Sequence, residues 1–143
     1  MDNAEVLMVE DNPGDVVLIQ EAMRKAGLPF RLQVARDGVA ATELLWGVEG
    51  RPAIRPDLII LDLKLPRKNG RELLEEIQGD PSMRLIPVVL LSSSPSELEL
   101  ARSFRLPPKS YLVKPSTFSG YIALVQSLAA FLEESRGENA GCS

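Results

Sequence analysis

The chain has 143 residues, 45% of them hydrophobic and 25% charged, with a formal net charge of −4, which suits one globular domain with a useful core and argues against nucleic acid as a partner. There is no histidine, so histidine metal sites, histidine general bases and Ser–His–Asp triads are excluded together. Cys142 is the only cysteine and cannot form an internal disulfide, no apolar run nears the ~20 residues that cross a bilayer, and Met1-Asp2-Asn3-Ala4-Glu5 lacks the basic start of a signal peptide, so a cytoplasmic protein with no membrane contact is expected.

Val6-Leu7-Met8-Val9 predicts a short buried strand, followed at once by Glu10-Asp11-Asn12-Pro13-Gly14. From Asp15, which suits an N-cap, Val16, Ile19, Met23 and Ala26 recur at helical spacing until Gly27. Phe30 to Ala35 predicts a second strand, Val39 to Val48 a second helix, and Glu49 to Pro56, with one Gly and two Pro, a loop. Leu58-Ile59-Ile60-Leu61-Asp62 is an apolar run closed by a carboxylate, the pattern of a strand covered on both faces. A loop over Leu65 to Gly70 leads to a third helix, Arg71 to Gln78. Ile86 to Leu91 predicts a fourth strand running into Ser92-Ser93-Ser94, then a helix over Ser96 to Arg105 capped by Ser94 or Ser96. Tyr111-Leu112-Val113 is a fifth strand ending at Lys114-Pro115, and Thr117 to Glu134 is the last helix. Gly137 to Ser143 reads as a frayed polar tail, so the domain is expected over 4–134 and a flexible segment over 135–143.

Five strands alternating with five helices give an α/β fold with a doubly wound parallel sheet. In such sheets ligands bind beyond the carboxyl ends of the strands. Those ends hold Glu10 and Asp11, Asp62, Ser92 and Lys114. If strands one, three, four and five are neighbours, three carboxylates, a hydroxyl and an ammonium converge. Crowded carboxylates raise one another's pKa unless a cation is present, and Mg²⁺ selects oxygen ligands. One carboxylate is then free to act as a nucleophile toward phosphorus, with Lys114 and Ser92 available to the phosphate oxygens. Taken singly, Asp11-Asn12-Pro13-Gly14 is also a capped turn, Ser92-Ser93-Ser94 a loop and Lys114 a solvated charge. Their occurrence at successive strand ends carries the signal.

Four segments resemble the response-regulator receiver domain of two-component signalling: Val9-Glu10-Asp11-Asn12, Asp62 to Gly70, Pro87 to Ser92, and Tyr111-Leu112-Val113-Lys114-Pro115. The resemblance spans about residues 4 to 134 and implies a flavodoxin-like (CheY-like) sheet of order 2-1-3-4-5. It implies Asp62 as phosphoacceptor, Mg²⁺ on Glu10, Asp11, Asp62 and the Lys64 carbonyl, phosphoryl contacts from Ser92 and Lys114, and Tyr111 as an aromatic switch. It further implies a cis Lys114–Pro115 bond. Side chains of Lys64 and Ser94, two places beyond Asp62 and Ser92, are expected to tune phosphate lifetime. Glu10 to Asp15, Leu65 to Gly70 and the long loop before Pro56 are similar to small receivers that partner phytochrome-type histidine kinases. The chain departs from the common pattern at Leu106-Pro107-Pro108-Lys109, where a Gly-Ala pair is usual, so the loop before strand five should differ.

No output domain fits the remaining length, so the expected protein is a stand-alone regulator that signals through protein contacts, a phosphoacceptor rather than an enzyme acting on a separate substrate. The last helix carries apolar residues on more than one face, among them Phe118, Tyr121, Ile122, Leu128 and Phe131. Either the core stripe is generous or a second surface is covered, for which a homodimer through that helix is the economical form. Two alternatives compete. A pseudo-receiver would bind partners without phosphorylation, against which the intact acidic set speaks. A flavin protein of the same topology would need a Gly- or Ser/Thr-rich phosphate loop where Glu10 and Asp11 stand.

Overall fold

Apolar strands with no polar face to give to water require cover on both sides, and the fold provides it. The computed structural model describes residues 3–65 and 68–141. The expected loop residues Pro66 and Arg67, the N-terminal Met1 and Asp2, and Cys142 and Ser143 of the expected tail lie outside the described residues.

Five parallel strands, β1 (Ala4–Val9), β2 (Phe30–Ala35), β3 (Leu58–Asp62), β4 (Val88–Ser92) and β5 (Tyr111–Val113), form one sheet of order β2-β1-β3-β4-β5. Side chains alternate faces along each strand. Leu7, Val9, Ile59, Leu61, Val88 and Leu90 point to one side, onto α2 (Gly38–Trp46), α3 (Gly70–Gly79) and α4 (Pro95–Leu100). Val6, Met8, Leu58, Ile60, Val89 and Leu91 point to the other, onto α1 (Pro13–Lys25) and α5 (Phe118–Gly141). All five residues of β3 and of β4 are buried, as their apolar runs demand.

Local chemistry sets the helix starts. The expected cap Asp15 is replaced by Asn12, whose Oδ1 accepts the N–H groups of Gly14 and Asp15 at 2.9 and 3.3 Å while Pro13 takes the first helical position. That frees the Asp15 carboxylate for another use. Asp37, Asn69 and Ser94 cap α2, α3 and α4. The fourth helix does not run to Arg105. It ends at Leu100, tightens into a 3₁₀ segment over Ala101–Phe104, and turns where Arg105 takes φ 58. Pro107 then starts a second 3₁₀ turn, Pro108–Ser110, so the unusual Leu106–Lys109 loop forms a short rigid corner.

The last helix runs past the expected end at Glu134 and continues to Gly141. Lys109 pairs with Glu134 (2.9 Å) where the extension begins, and Arg136 within it pairs with Asp57 (3.3 Å). Most of its wide apolar surface serves the monomer: Tyr121, Leu124, Val125, Leu128, Phe131 and Leu132 are buried, and Ile122 is half-buried. Phe118 stays 40% exposed. Among the described residues no helix is long and apolar enough to cross a membrane.

Candidate functional site

The neighbouring strands β1, β3, β4 and β5 end at one rim. Val9 pairs with Leu61, Asp62 with Leu91, and Ser92 with Val113. Backbone register alone therefore brings Glu10, Asp62, Ser92 and Lys114 together, and the Lys114 N–H closes the edge on the Ser92 carbonyl at 2.9 Å. The start of α3 presses on the same rim. A Cβ at Gly70 would strike the Asp62 carbonyl and stand 2.7 Å from Leu63 Cα, so only glycine permits this approach.

Lys114 is the hub. Its Nζ lies 2.8 Å from Glu10 Oε1, 2.8 Å from Asp15 Oδ2 and 2.9 Å from Asp62 Oδ2. Burial alone would pull its pKa down, but hydrogen bonds to Asp15, Glu10 and Asp62 outweigh it and hold the ammonium above the ordinary lysine range. Glu10 is only 1% exposed. Burial, and then a hydrogen bond with Asp62, push its carboxyl up to about 8 against the opposing pull of Lys114. Glu10 Oε2 accepts the Asn12 N–H at 3.2 Å, and Oε1 has no partner among the described residues apart from the ammonium. Asp62 Oδ1 accepts the Lys64 N–H at 2.9 Å.

Glu10, Asp11 and Asp62 each offer an oxygen, all within 4.8 Å of one another. Two of these side chains are buried and Asp11 is exposed, so the cluster opens to solvent on one side. The donor set fits a hard divalent cation: oxygen ligands only, crowded negative charge, and a buried carboxyl whose ionisation is otherwise costly. Beside it lies a cavity of about 560 Å³ lined by Asp11, Leu63, Lys64, Leu65, Asn69, Arg71, Glu97 and Leu100.

Residues 6–126 match the family model of the response regulator receiver domain. The chain belongs to that family. Response regulator Rcp1 of Synechocystis sp. is 38% identical to this receiver over 127 residues, covering 88% of this chain and 86% of that protein. The crystal structure of the phosphorylated cyanobacterial phytochrome response regulator RcpA is 39% identical, with TM-score 0.80 over 92% of this chain and 94% of that one. The Mn²⁺-bound form of Rcp1 is 37% identical, with TM-score 0.77 over 90% and 93%. The receiver is thus a two-component response regulator with the expected fold and sheet order.

The structure gathers Glu10, Asp11, Asp62 and Lys114 as the sequence led one to expect, and places Ser92 on the same rim. The Ser92 hydroxyl donates to Glu97 Oε2 at 3.2 Å and accepts the Ser94 N–H at 3.0 Å. The Lys64 ammonium sits 3.6 Å from Glu97 Oε1, and Ser94 Oγ accepts the Glu97 N–H at 3.3 Å. Tyr111 is half-buried, with its hydroxyl accepting the Leu106 N–H at 3.0 Å and its ring 4.9 Å from the Arg102 guanidinium carbon.

One expectation fails: the Lys114–Pro115 bond is trans, and no peptide bond among the described residues is cis. Trans is the lower-energy isomer of an X–Pro bond by ~0.5–1 kcal/mol, and Lys114 reaches all three carboxylates from it. Two residues at the site went unread in the sequence. Asp15 looked like a cap, and its spacing of three from the true cap Asn12, which turns it back toward the strand ends, was the available signal. Glu97 lay unmarked inside the expected fourth helix; its place three residues after Ser94, in a Ser-x-x-Glu pattern, was the available signal.

Proposed function

We propose that this receiver accepts a phosphoryl group on Asp62 from the phosphohistidine of a sensor kinase of the phytochrome type. The observation that carries the reading is Lys114 Nζ set 2.8–2.9 Å from the carboxylates of Glu10 and Asp62, at converging strand ends, and of Asp15 in the first turn of α1. A carboxylate oxygen of Asp62 attacks phosphorus, the P–N bond breaks, and its electron pair leaves on the imidazole nitrogen, which takes a proton from solvent. Lys114, already paired with Asp62, follows the charge onto the phosphoryl oxygens, and Ser92 donates its hydroxyl hydrogen to one of them. Mg²⁺, held by Glu10, Asp11, Asp62 and the Lys64 carbonyl, would supply further charge neutralisation at the phosphoryl group.

Hydrolysis resets the acyl phosphate: water attacks phosphorus, the P–O bond to Asp62 breaks, and inorganic phosphate leaves. Lys64, which lines the cavity, and Ser94, which caps the helix that carries the lining residue Glu97, tune the access of that water. Recruitment of Ser92 to the phosphoryl group biases the β4–α4 segment, and Tyr111 reports the change because its hydroxyl ties the Leu106 corner to β5. The likeness to regulators whose names say phytochrome supports the choice of kinase. Exposed Val113 (50%) and Phe118 (40%) near the start of α5 support pairing of two copies through that helix region; a monomer in sedimentation at tens of micromolar, with and without phosphoryl, would remove the dimer.

The direct test is phosphotransfer from purified, phosphorylated phytochrome-type kinases in the presence of Mg²⁺, with Asp62→Asn as control. Transfer to wild type and none to the variant is expected. Transfer from unrelated kinases alone would overturn the choice of partner, and transfer to the variant would overturn the acceptor.

A further inference from the structure

Glu97 has a misplaced carboxylate. It stands at the third position of α4, three residues after the cap Ser94. In a Ser-x-x-Glu capping box the glutamate side chain reaches back to the N–H of the cap residue. Half of that box is present, since Ser94 Oγ accepts the Glu97 N–H at 3.3 Å. The other half is not: the Ser94 N–H donates to Ser92 Oγ at 3.0 Å instead. The Glu97 carboxylate reaches further, to the Ser92 hydroxyl at 3.2 Å through Oε2 and toward the Lys64 ammonium at 3.6 Å through Oε1.

A serine hydroxyl has one hydrogen to give. Here its nearer acceptor is Glu97 Oε2 at 3.2 Å, charged and closer than the Ser94 carbonyl at 3.5 Å. In the function proposed above, the same hydrogen is needed by the phosphoryl group on Asp62. We infer that Glu97 is a positioning residue for phosphorylation, an internal anion that holds the Ser92 hydroxyl in the unphosphorylated receiver and must release it when Asp62 is phosphorylated. The inference rests on that proposed function.

The exchange has a destination for each group. Once the Ser92 hydroxyl turns to the phosphoryl oxygens, the Ser94 N–H loses its present acceptor. The Glu97 carboxylate, repelled by the new negative charge, can close the capping box on that N–H. The replacement is partial: Glu97 gives up the Ser92 hydroxyl and its contact with Lys64 for one capping-box bond, so it holds the unphosphorylated arrangement more strongly than the phosphorylated one. Glu97 also lines the 560 Å³ cavity at the mouth of the site with Lys64, so its swing changes the wall that an incoming kinase or water meets. The grip of Glu97 is a tax on phosphorylation: some of the affinity for a phosphoryl group is spent on freeing Ser92.

Beryllium fluoride, a phosphoryl mimic, titrated calorimetrically into the full chain with excess Mg²⁺ tests this. Glu97→Ala is expected to bind it about three- to tenfold more tightly than wild type, the range of one ordinary hydrogen bond, because the capping-box bond that Glu97 gains offsets part of the charge-assisted one it gives up. Glu97→Gln, which keeps an acceptor without the charge, should fall between. In a Ser92→Ala background, Glu97→Ala should change the affinity less than about 1.5-fold, because the contested hydroxyl is gone. Thermal melting of the metal-free single and double variants gives a second readout, in which coupling between positions 92 and 97 is expected. An equal effect of Glu97→Ala with and without Ser92, or unchanged or weaker binding in Ser92-containing protein, would overturn the inference and leave the phosphoacceptor reading intact. Failure of wild type to bind the mimic at all would overturn both.

Discussion

Replacing Lys114 with Met probes the electrostatics of the rim. The substitution keeps the aliphatic stem and removes the one ammonium that lies 2.8, 2.8 and 2.9 Å from Glu10, Asp15 and Asp62. Coulomb's law at an effective dielectric of 20 gives about 6 kcal/mol for a single such contact, an upper bound that desolvation of the ammonium largely offsets. Removing one partner from a buried ion pair costs roughly 3–5 kcal/mol. Some of that is recovered here, because Glu10, with its carboxyl pushed up to about 8, is already protonated near neutrality. About 3 kcal/mol is therefore expected at neutral pH without metal, or a fall of about 10 °C in Tm for a chain of this size.

The pH dependence has a definite sign. The proton on Glu10 stabilises the fold fully below about pH 4.5, and the contribution is lost as pH rises through about 8. Lys114 opposes that proton in wild type and is absent in the variant, so the deficit grows above about pH 8. Differential scanning fluorimetry from about pH 6 to 9, with chelator and with Mg²⁺, measures it. Mg²⁺ should stabilise the variant more than wild type, since it no longer competes with an ammonium for the same carboxylates. A variant as stable as wild type in chelator, or an equal gain from Mg²⁺ in both proteins, would refute the reasoning.

Gly70→Ala drives a methyl group into the Asp62 carbonyl and should cost ~1–3 kcal/mol in chemical denaturation and slow phosphorylation, whereas Gly79→Ala, with nothing within 4 Å, should be neutral or stabilising by less than ~1 kcal/mol. Asp80 accepts hydrogen bonds from Ser82 and from Trp46 Nε1 (2.6 Å), which lower its pKa to about 2. Its contribution is present above about pH 4 and fades as pH falls through about 2, so the fluorescence of Trp46, the only tryptophan, should hold steady from neutrality to about pH 4. A transition centred well above pH 4, or an unchanged spectrum in Asp80→Asn, would contradict this. Lys64→Ala and Ser94→Ala should each alter the half-life of the phosphorylated form by roughly threefold or more, followed by loss of label; unchanged half-lives would remove their tuning role.

The parts of the fold legible in the sequence were those where one physical demand dominated. Leu58-Ile59-Ile60-Leu61 and Val88-Val89-Leu90-Leu91 have no face to spare for water, so a central buried strand was the only comfortable reading. With the parallel register those strands impose, the convergence of Glu10, Asp62, Ser92 and Lys114 followed. What stayed hidden depended on competition between nearby groups. Asn12 and Asp15 are both good caps, and only Pro13 at the first helical position decides for Asn12. The continuation of α5 to Gly141 is an ordinary polar stretch in which Arg136 pairs with Asp57, a partner remote in sequence. The end of α4 at Leu100 lay beyond periodicity, because it is set by the positive φ at Arg105 and the corner built by Pro107 and Pro108.

Whether Asp62 carries the phosphoryl group is settled most directly by incubating the chain with phosphoramidate and Mg²⁺ and mapping the modified peptide by mass spectrometry. The expected result is one phosphoryl group on the peptide containing Asp62, lost on chelation of the metal before incubation and absent from Asp62→Asn. A phosphoryl group on any other residue of the wild type, or full labelling of the Asn variant, would contradict it.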